Sequence, residues 1–395
     1  ISLASGTAKF TIPLISLKGR NNLDFQVNLT YSSSIKDVVE DDDFPENAKM
    51  QVSEVGLGWA LDLPRIVVNS IYLSGGEDIT FSTESTYYIS SKNVSKLISL
   101  GNDEYAMNQY GYQQIEKDEL NNKWILYDIE GKKYTFGHLR RIPHWRKWAY
   151  CANFETYMHD IIWDLTEIED IFGNKITFEY LDKWDNIRFE YYCITSGGGG
   201  QDEEWVSPNY IRASYVSKIT DSAGRVVKFN YAEDRLDVPT LDYEAYPNEY
   251  AINYQKSRLD YVEVWDKDPG LSNPKLVQYI KFGHGYSDNL CGTSKKKLML
   301  TSIQYRNPEN PDDDASASPA IIFDYTNTAS IKGTLEEITS SNGGSVTFQY
   351  DEKSYGGSVK GYKVTSIARD DGINPASTTT FSYGTLYEIT TFNSP

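Results

Sequence analysis

One short pattern recurs along the chain and restricts it to a small set of folds. Residues 168–180 read IEDIFGNKITFEY, with Ile168, Asp170, Gly173, Phe178 and Tyr180 at fixed offsets. The same offsets carry Ile219, Asp221, Gly224, Phe229 and Tyr231. They recur as Ile338, Gly343, Phe348 and Tyr350, with Ser340 in the aspartate place. An earlier copy has Leu126, Asp128, Gly131 and Phe136, with His138 where the others have tyrosine. Looser copies with longer loops end at Phe323-Asp324-Tyr325 and Phe381-Ser382-Tyr383.

Each copy predicts a β-hairpin. An aspartate at the first turn position accepts backbone hydrogen bonds, and a glycine three residues later takes the positive φ that returns the chain to a strand. After the turn, Ile176, Phe178 and Tyr180 alternate with Lys175, Thr177 and Glu179, giving one apolar and one polar face. A single hairpin cannot bury its aromatic face, whereas copies laid side by side form a continuous sheet that can. The tyrosines then line up as a ladder whose hydroxyls need partners. These residues are scaffold and not a site. The fold class expected is all-β, a curved sheet of stacked hairpins.

Composition agrees with a sheet-built core: 31 Tyr, 15 Phe and 8 Trp stand against only 4 Met. The net charge of −18 argues against nucleic acid or an anionic membrane as partner, since both require clustered Lys and Arg. No apolar run approaches the roughly 18 residues of a membrane-spanning helix. Cys151, Cys193 and Cys291 form no closely spaced pair, so neither a disulfide scaffold nor a cysteine metal site is expected. The start at Ile1, without initiator Met or leader, reads as a processed or excised chain, with secretion the expected localisation. Asn28-Leu29-Thr30 and Asn93-Val94-Ser95 fit the glycosylation triplet. One helix is expected, over Trp148 to Ile162, from the spacing of Tyr150, Phe154, Tyr157 and Ile161. Gly197 to Gly200 with the following Gln-Asp-Glu-Glu reads as an exposed loop. Asn307 to Pro319 reads as a loop inserted within a hairpin.

The amino-terminal segment carries a more specific signal. Residues 6–33 read GTAKFTIPLISLKGRNNLDFQVNLTYSS, in which Leu23, Phe25, Val27, Leu29 and Tyr31 alternate with polar residues as a strand. After an acidic stretch comes VGLGWALDLPRI, residues 55–66, whose Gly56 and Gly58 permit close backbone approach around Trp59. This order of motifs resembles the start of Rhs/YD-repeat proteins, and in particular the SpvB-like region of insecticidal toxin-complex B components. Residues 163–180, WDLTEIEDIFGNKITFEY, are similar to the first repeats that follow in that family. The resemblance implies a spiralling sheet of hairpins that curls into a shell, which in larger relatives encloses a carboxy-terminal toxic domain. The chain is short for a closed cocoon and lacks the protease ending of those relatives. Asp268-Pro269-Gly270-Leu271 is similar to a motif of that ending but lacks one residue and falls in a mid-repeat loop. Three regions are expected: residues 1–90 as the SpvB-like segment, 91–163 as a hairpin with a basic aromatic insertion, and 164–395 as hairpin repeats.

Signatures of phosphate loops, dinucleotide folds, zinc proteases and serine-nucleophile elbows are missing from the sequence. The one basic island is FGHLRRIPHWRKWAY, residues 136–150, lying between two hairpin copies where a connection can acquire function. Its ligand-binding candidates are Arg140, which with Arg141 suits a carboxylate, and Trp145 and Trp148, which suit a sugar face. The catalytic candidates are His144 or His159 as base, Asp160 as acid, and Arg141 beside them. His138, His144 and His159 have no metal-ligand spacing, and no metal or other cofactor is expected. His284, flanked by Gly283 and Gly285, reads as a turn residue. Two functions remain. One is a non-catalytic shell or scaffold segment, partnering other segments of a larger toxin-like protein through sheet edges. The other is a secreted enzyme (polysaccharide lyase or glycoside hydrolase) or lectin with an anionic polysaccharide as partner.

Overall fold

The computed structural model describes residues 7–33, 52–69, 86–90, 94–107, 110–144, 148–150, 157–186, 189–194, 201–206, 209–238, 255–287, 296–327, 333–354 and 360–383. Among them every long element is a strand, with helical geometry confined to 3-10 turns such as Asp314–Ser316. The all-β class follows directly.

The chain opens with a three-stranded sheet: β1 (Lys9–Leu17), β2 (Phe25–Ser32) and β3 (Trp59–Leu61). A ring follows, from β4 (Arg65–Asn69), β5 (Thr86–Ser90), β6 (Val94–Gly101) and β7 (Glu104–Met107) through β8 (Tyr110–Asp118), β9 (Lys123–Tyr127) and β10 (Lys133–His144). After β11 (Trp148–Tyr150), β12 (Tyr157–Glu169) runs back along β10. It closes the ring by pairing Ile162, Trp163 and Asp164 with Val67, Ile66 and Arg65 of β4. The ring encloses an aromatic core. The Trp124 ring lies 4.7 Å from Tyr87, 4.8 Å from Tyr105 and 5.9 Å from Trp163, all edge-on. Edge-to-face contacts suit the ring quadrupoles and add to the area buried.

The rest of the sheet grows from the same strand. β13 (Lys175–Asn186) pairs with Glu167, Ile168 and Glu169 of β12. Since β10 occupies the other edge, β4 and β13 share one edge of β12 and the sheet forks between Asp164 and Glu167. Beyond a small sheet of β11, β14 (Phe189–Ile194) and β15 (Gln201–Val206), the main sheet continues from β13 into β16 (Asn209–Thr220). It then runs through β17 (Val226–Ala232), β18 (Arg258–Trp265), β19 (Leu276–Ser287), β20 (Lys297–Arg306) and β21 (Ile321–Tyr325). It ends with β22 (Leu335–Thr339), β23 (Ser345–Ser354), β24 (Lys360–Asp370) and β25 (Ser377–Thr380), all antiparallel.

The hairpin turns have the expected chemistry. In one copy the Asp170 carboxylate accepts from the Phe172 and Asn174 amides at 2.9 and 2.8 Å, while Gly173 adopts φ 81°. Asp221 and Gly224 repeat this, and in the serine copy the Ser340 hydroxyl donates to the Gly344 carbonyl at 2.8 Å. The phenylalanines of the copies face the three-stranded sheet: Phe25 meets Phe178 at 5.3 Å, Phe10 meets Phe348 at 5.9 Å and Trp59 meets Phe323 at 4.7 Å. The amino-terminal sheet is therefore the second layer that buries the apolar face of the repeats, and neither layer has a core without the other.

The tyrosines answer a second need. In each sheet strand that follows one of them in the pairing order, one residue is skipped in the register. Tyr180 pairs with Val216, skipping Ser217; Tyr231 with Leu259, skipping Asp260; Tyr350 with Val364, skipping Thr365. Such a bulge takes the preceding carbonyl out of the ladder. Tyrosine hydroxyls donate to those carbonyls: Tyr180 to Leu165, Tyr231 to Val216, Tyr325 to Leu300, Tyr350 to Leu335 and Tyr383 to Val364, all within 2.6–2.8 Å. Six of the bulged strands share a motif, an aliphatic residue, then Ser, Thr, Asp or Glu, then any residue, then Ile or Val. It reads Leu165-Thr166-Glu167-Ile168, Val216-Ser217-Lys218-Ile219, Leu259-Asp260-Tyr261-Val262, Leu300-Thr301-Ser302-Ile303, Leu335-Glu336-Glu337-Ile338 and Val364-Thr365-Ser366-Ile367.

Four expectations change. The helix over Trp148 to Ile162 is replaced by strands: β11 covers Trp148–Tyr150 and β12 begins at Tyr157, while residues 151–156 lie outside the described residues. The helical spacing was a by-product of period-two alternation, since Ile161, Trp163 and Leu165 are all buried along one strand. Gln201 to Glu204 belong to β15, paired with β14, rather than to a loop; Gly197 to Gly200 lie outside the described residues. His284 sits inside β19, not in a turn. His138 to His144 are strand β10, not a connection. Asn28 is buried in β2, so its triplet is closed to a glycan in the folded chain; Asn93 lies outside the described residues. The segment from Asn307 is a hairpin loop, and Asp268 to Leu271 form a loop tip closed by the Leu271 amide on the Asp268 carbonyl at 2.9 Å.

Candidate functional site

Ionisable side chains converge where the sheet forks. β4 and β13 pair with successive stretches of one edge of β12, and long polar side chains from the strands around this junction meet one another there. β4 supplies Arg65, β10 supplies His138 and Arg140, β12 supplies Asp164, and β13 supplies Tyr180 and Asp182. The Asp164 carboxylate is buried, with Arg140 Nε at 3.2 Å, His138 Nδ1 at 3.5 Å and Arg65 Nε at 3.7 Å. His138 Nε2 lies 3.0 Å from Asp182 Oδ1, which also accepts from the Ser214 hydroxyl of β16 at 2.8 Å. The Tyr180 ring stacks on the imidazole at 4.4 Å.

The electrostatics follow from this geometry. Burial alone would lower the His138 pKa, but the carboxylates of Asp164 and Asp182 outweigh it and raise it from 6.5 to about 9. Burial would raise Asp164, but Arg140, His138 and Arg65 hold it down at about 2. Asp182 is lowered too, its burial outweighed by the hydrogen bonds of His138 and Ser214. At neutral pH His138 is therefore an imidazolium between two carboxylates. In that state it has no free lone pair to act as a base, and its role is to tie β10, β12 and β13 together.

The sequence-predicted candidates divide around this cluster. Arg140 is buried and faces Asp164, whereas Arg141 is half exposed and meets Asp160, Nε to Oδ1 at 2.5 Å. Asn122 Nδ2 donates to the other Asp160 oxygen at 3.0 Å. The two adjacent arginines thus engage different carboxylates of β12. His144 pairs with Tyr157 and His159 with Ile142 in the backbone register, so both histidines lie near one end of the β10–β12 pair. Their side chains, that of Trp148 and the whole of Trp145 lie outside the described residues, although Trp148 pairs through its backbone with Tyr192. Among the described residues no group of three or more His, Cys, Asp and Glu is placed to hold a metal ion. Sequence reasoning missed Arg65, Asp164 and Asp182. A signal for Asp164 was present: it interrupts the otherwise apolar run from Ile161 to Leu165.

No family model and no curated protein matches the chain. Solved structures do. One described as TcdB2-TccC3 is similar at a TM-score of 0.48 and 11% identity, over 91% of this chain and 19% of that one. The Photorhabdus luminescens Tc holotoxin pore is similar at 0.44 and 12%, over 81% and 16%. The N-terminal domain of the effector SpvB from Salmonella typhimurium is similar at 0.40 and 12%, over 74% of this chain and 98% of that domain. The chain spans about a fifth of the Tc chains it matches. These neighbours bear the names that the amino-terminal motif called up. The fold is the all-β one that this resemblance implies.

Proposed function

We propose that the chain is a shell or scaffold segment of a toxin-complex-like protein. The observation that carries this reading is that the fork cluster, where the basic island of the sequence comes to lie, is consumed in holding strands together. Arg140 is committed to Asp164, Arg141 to Asp160 and His138 to two carboxylates. Such a constellation supports a rigid junction better than a turnover site, which needs at least one group poised near neutral pH and open to substrate. Secretion fits the same reading, as does association with other segments of a larger toxin-like protein.

The test is a binding and turnover screen of the folded chain against neutral and anionic polysaccharides, following reducing ends and unsaturated products. No turnover and no saturable binding is the expected result. Cleavage that disappears in Arg141→Ala or His144→Ala with the fold intact would replace the scaffold by the lyase, hydrolase or lectin alternative.

A further inference from the structure

Two neighbouring hairpin tips carry an amide or an acid immediately before a glycine: Asn342-Gly343 between β22 and β23, and Asp371-Gly372 between β24 and β25. They lie side by side, since a Cβ on Gly372 would stand 4.0 Å from the Gly343 carbonyl oxygen. Asn342-Gly343 is the one Asn-Gly pair in the chain, and both of its residues are exposed. At such a pair the glycine nitrogen can attack the side-chain carbonyl before it, because glycine has no Cβ to block the approach. Two conditions then decide reactivity: the side chain must lie over that nitrogen, and it must be an electrophile.

The first turn residue governs the placement. In the copies that open on Asp170 and Asp221, the carboxylate takes the amides two and four residues on. Ser340 stands in that place here, and its hydroxyl faces both the Gly344 carbonyl and Asn342 Oδ1. The Gly344 amide, left without a carboxylate, points to Asn342 Oδ1 at 3.4 Å. An asparagine whose side chain reaches the amide two residues on folds back over the peptide between them, which here is that of Gly343. One hydrogen bond, from the Gly343 amide to the Ser340 carbonyl at 3.0 Å, occupies the nucleophile. A Cβ on Gly343 would meet nothing within 4 Å, so the tip has room to open.

Asp371 differs in charge rather than in placement. Its carboxylate accepts from the Asn374 amide at 2.7 Å, from Asn374 Nδ2 at 2.8 Å and from the Ile373 amide at 2.9 Å. These donors hold it down at about 2, so at neutral pH it is an anion and a poor electrophile. The Asn342 carboxamide is neutral and keeps its reactivity.

We propose that Asn342 is a site of spontaneous covalent modification, with water as the co-reactant. The Gly343 nitrogen loses its proton to solvent base and bonds to Asn342 Cγ. The Cγ–Nδ2 bond breaks, the departing nitrogen takes up a proton and leaves as ammonia, and a succinimide ring closes. Water then opens the ring. Addition at Cγ gives aspartate in the ordinary chain, which still offers an acceptor to the Gly344 amide. Addition at the main-chain carbonyl gives isoaspartate, whose backbone runs through Cγ and is longer. That product draws Gly343 away from Ser340 and breaks the bond from the Ser340 amide to the Gly344 carbonyl, 2.8 Å, that closes β22 onto β23.

The experiment incubates the full chain at mildly alkaline pH and follows each asparagine by peptide mapping with mass spectrometry, separating aspartate from isoaspartate by retention. Asn342 is expected to convert at least about tenfold faster than any other asparagine among the described residues, while Asp371 stays unchanged. Ser340→Asp restores the first turn residue of the other copies. Its carboxylate reclaims the Gly344 amide, so conversion at Asn342 should slow by about tenfold without a fall in melting temperature. Conversion at Asn342 no faster than elsewhere, or isoaspartate arising at Asp371 at the same rate, overturns the proposal. An undiminished rate in Ser340→Asp overturns it as well, because the chemistry would then belong to the Asn-Gly sequence without the turn.

Discussion

Two strands of this sheet carry the same three residues, Phe136-Gly137-His138 in β10 and Phe282-Gly283-His284 in β19, and the two histidines end in different charge states. In both, a hydroxyl of the neighbouring strand lies over the glycine and would have to move to admit a side chain. A Cβ would stand 3.2 Å from Thr166 Oγ1 at Gly137 and 2.2 Å from Ser302 Oγ at Gly283. In both, histidine replaces the tyrosine of the other copies. At the fork, His138 meets Asp164 and Asp182 and is held protonated. At β19, the segment before β3 crosses the sheet, and His284 Nε2–H donates to the Val55 carbonyl at 3.1 Å while Nδ1 accepts from Arg258 at 3.4 Å. Burial, with the Arg258 charge added, lowers its pKa to about 4. The same local sequence gives a cation in one place and a neutral ring in the other, because ionisation is set by what other strands bring.

The largest effect that would test this contrast is at the fork. Asp164→Ala leaves Arg65, Arg140 and His138 facing one another without their shared carboxylate, and should cost about 3–5 kcal/mol in denaturant unfolding. A loss below about 1 kcal/mol would remove the cluster from the account. Next comes pH. The raised His138 pKa contributes stability that is complete below 6.5 and is lost as pH rises through about 9. The depressed His284 pKa contributes stability that is present above 6.5 and lost as pH falls towards about 4. The unfolding free energy measured across this range should therefore peak near the middle. His138→Phe should flatten the alkaline limb, worth on the order of 2–3 kcal/mol, and spare the acid limb; the reverse pattern would exchange the two roles.

On the β19 side, Gly56 has φ 134° and an added Cβ would lie 2.8 Å from the Leu300 amide nitrogen. Gly56→Ala should cost on the order of 1–3 kcal/mol in the same unfolding experiment and leave the alkaline limb alone. Tyr231→Phe, which only uncaps the Val216 carbonyl, should cost about 1 kcal/mol, and Tyr180→Phe about the same. The smallest effect is expected at Arg141→Ala, where a half-exposed ion pair is worth at most about 1 kcal/mol.

Much of this was legible in the residues. The turns at Asp170 and Asp221, the alternation after them and the close approach at Gly56 are local requirements, and the structure meets each of them. The basic island around Arg140 was legible as charge but not as partnership, because Asp164 and Asp182 come from other strands. The helix expected near Tyr157 failed for a related reason: a long strand with aromatic residues at mixed intervals mimics a helical period until its neighbour, β10, is known.

Short-range chemistry fixes a hairpin, its turn and its apolar face, since backbone geometry and side-chain alternation act over a few residues. The sequence alone therefore determined a repetitive β protein whose tyrosines needed partners. Tertiary structure decided the rest. It placed the amino-terminal sheet over the phenylalanines of the repeats, forked the sheet at β12, and gave His138 two carboxylates while giving His284 an arginine. Those outcomes depend on contacts between residues far apart in the chain, and a charge in a low-dielectric interior answers to whichever group is nearest in space.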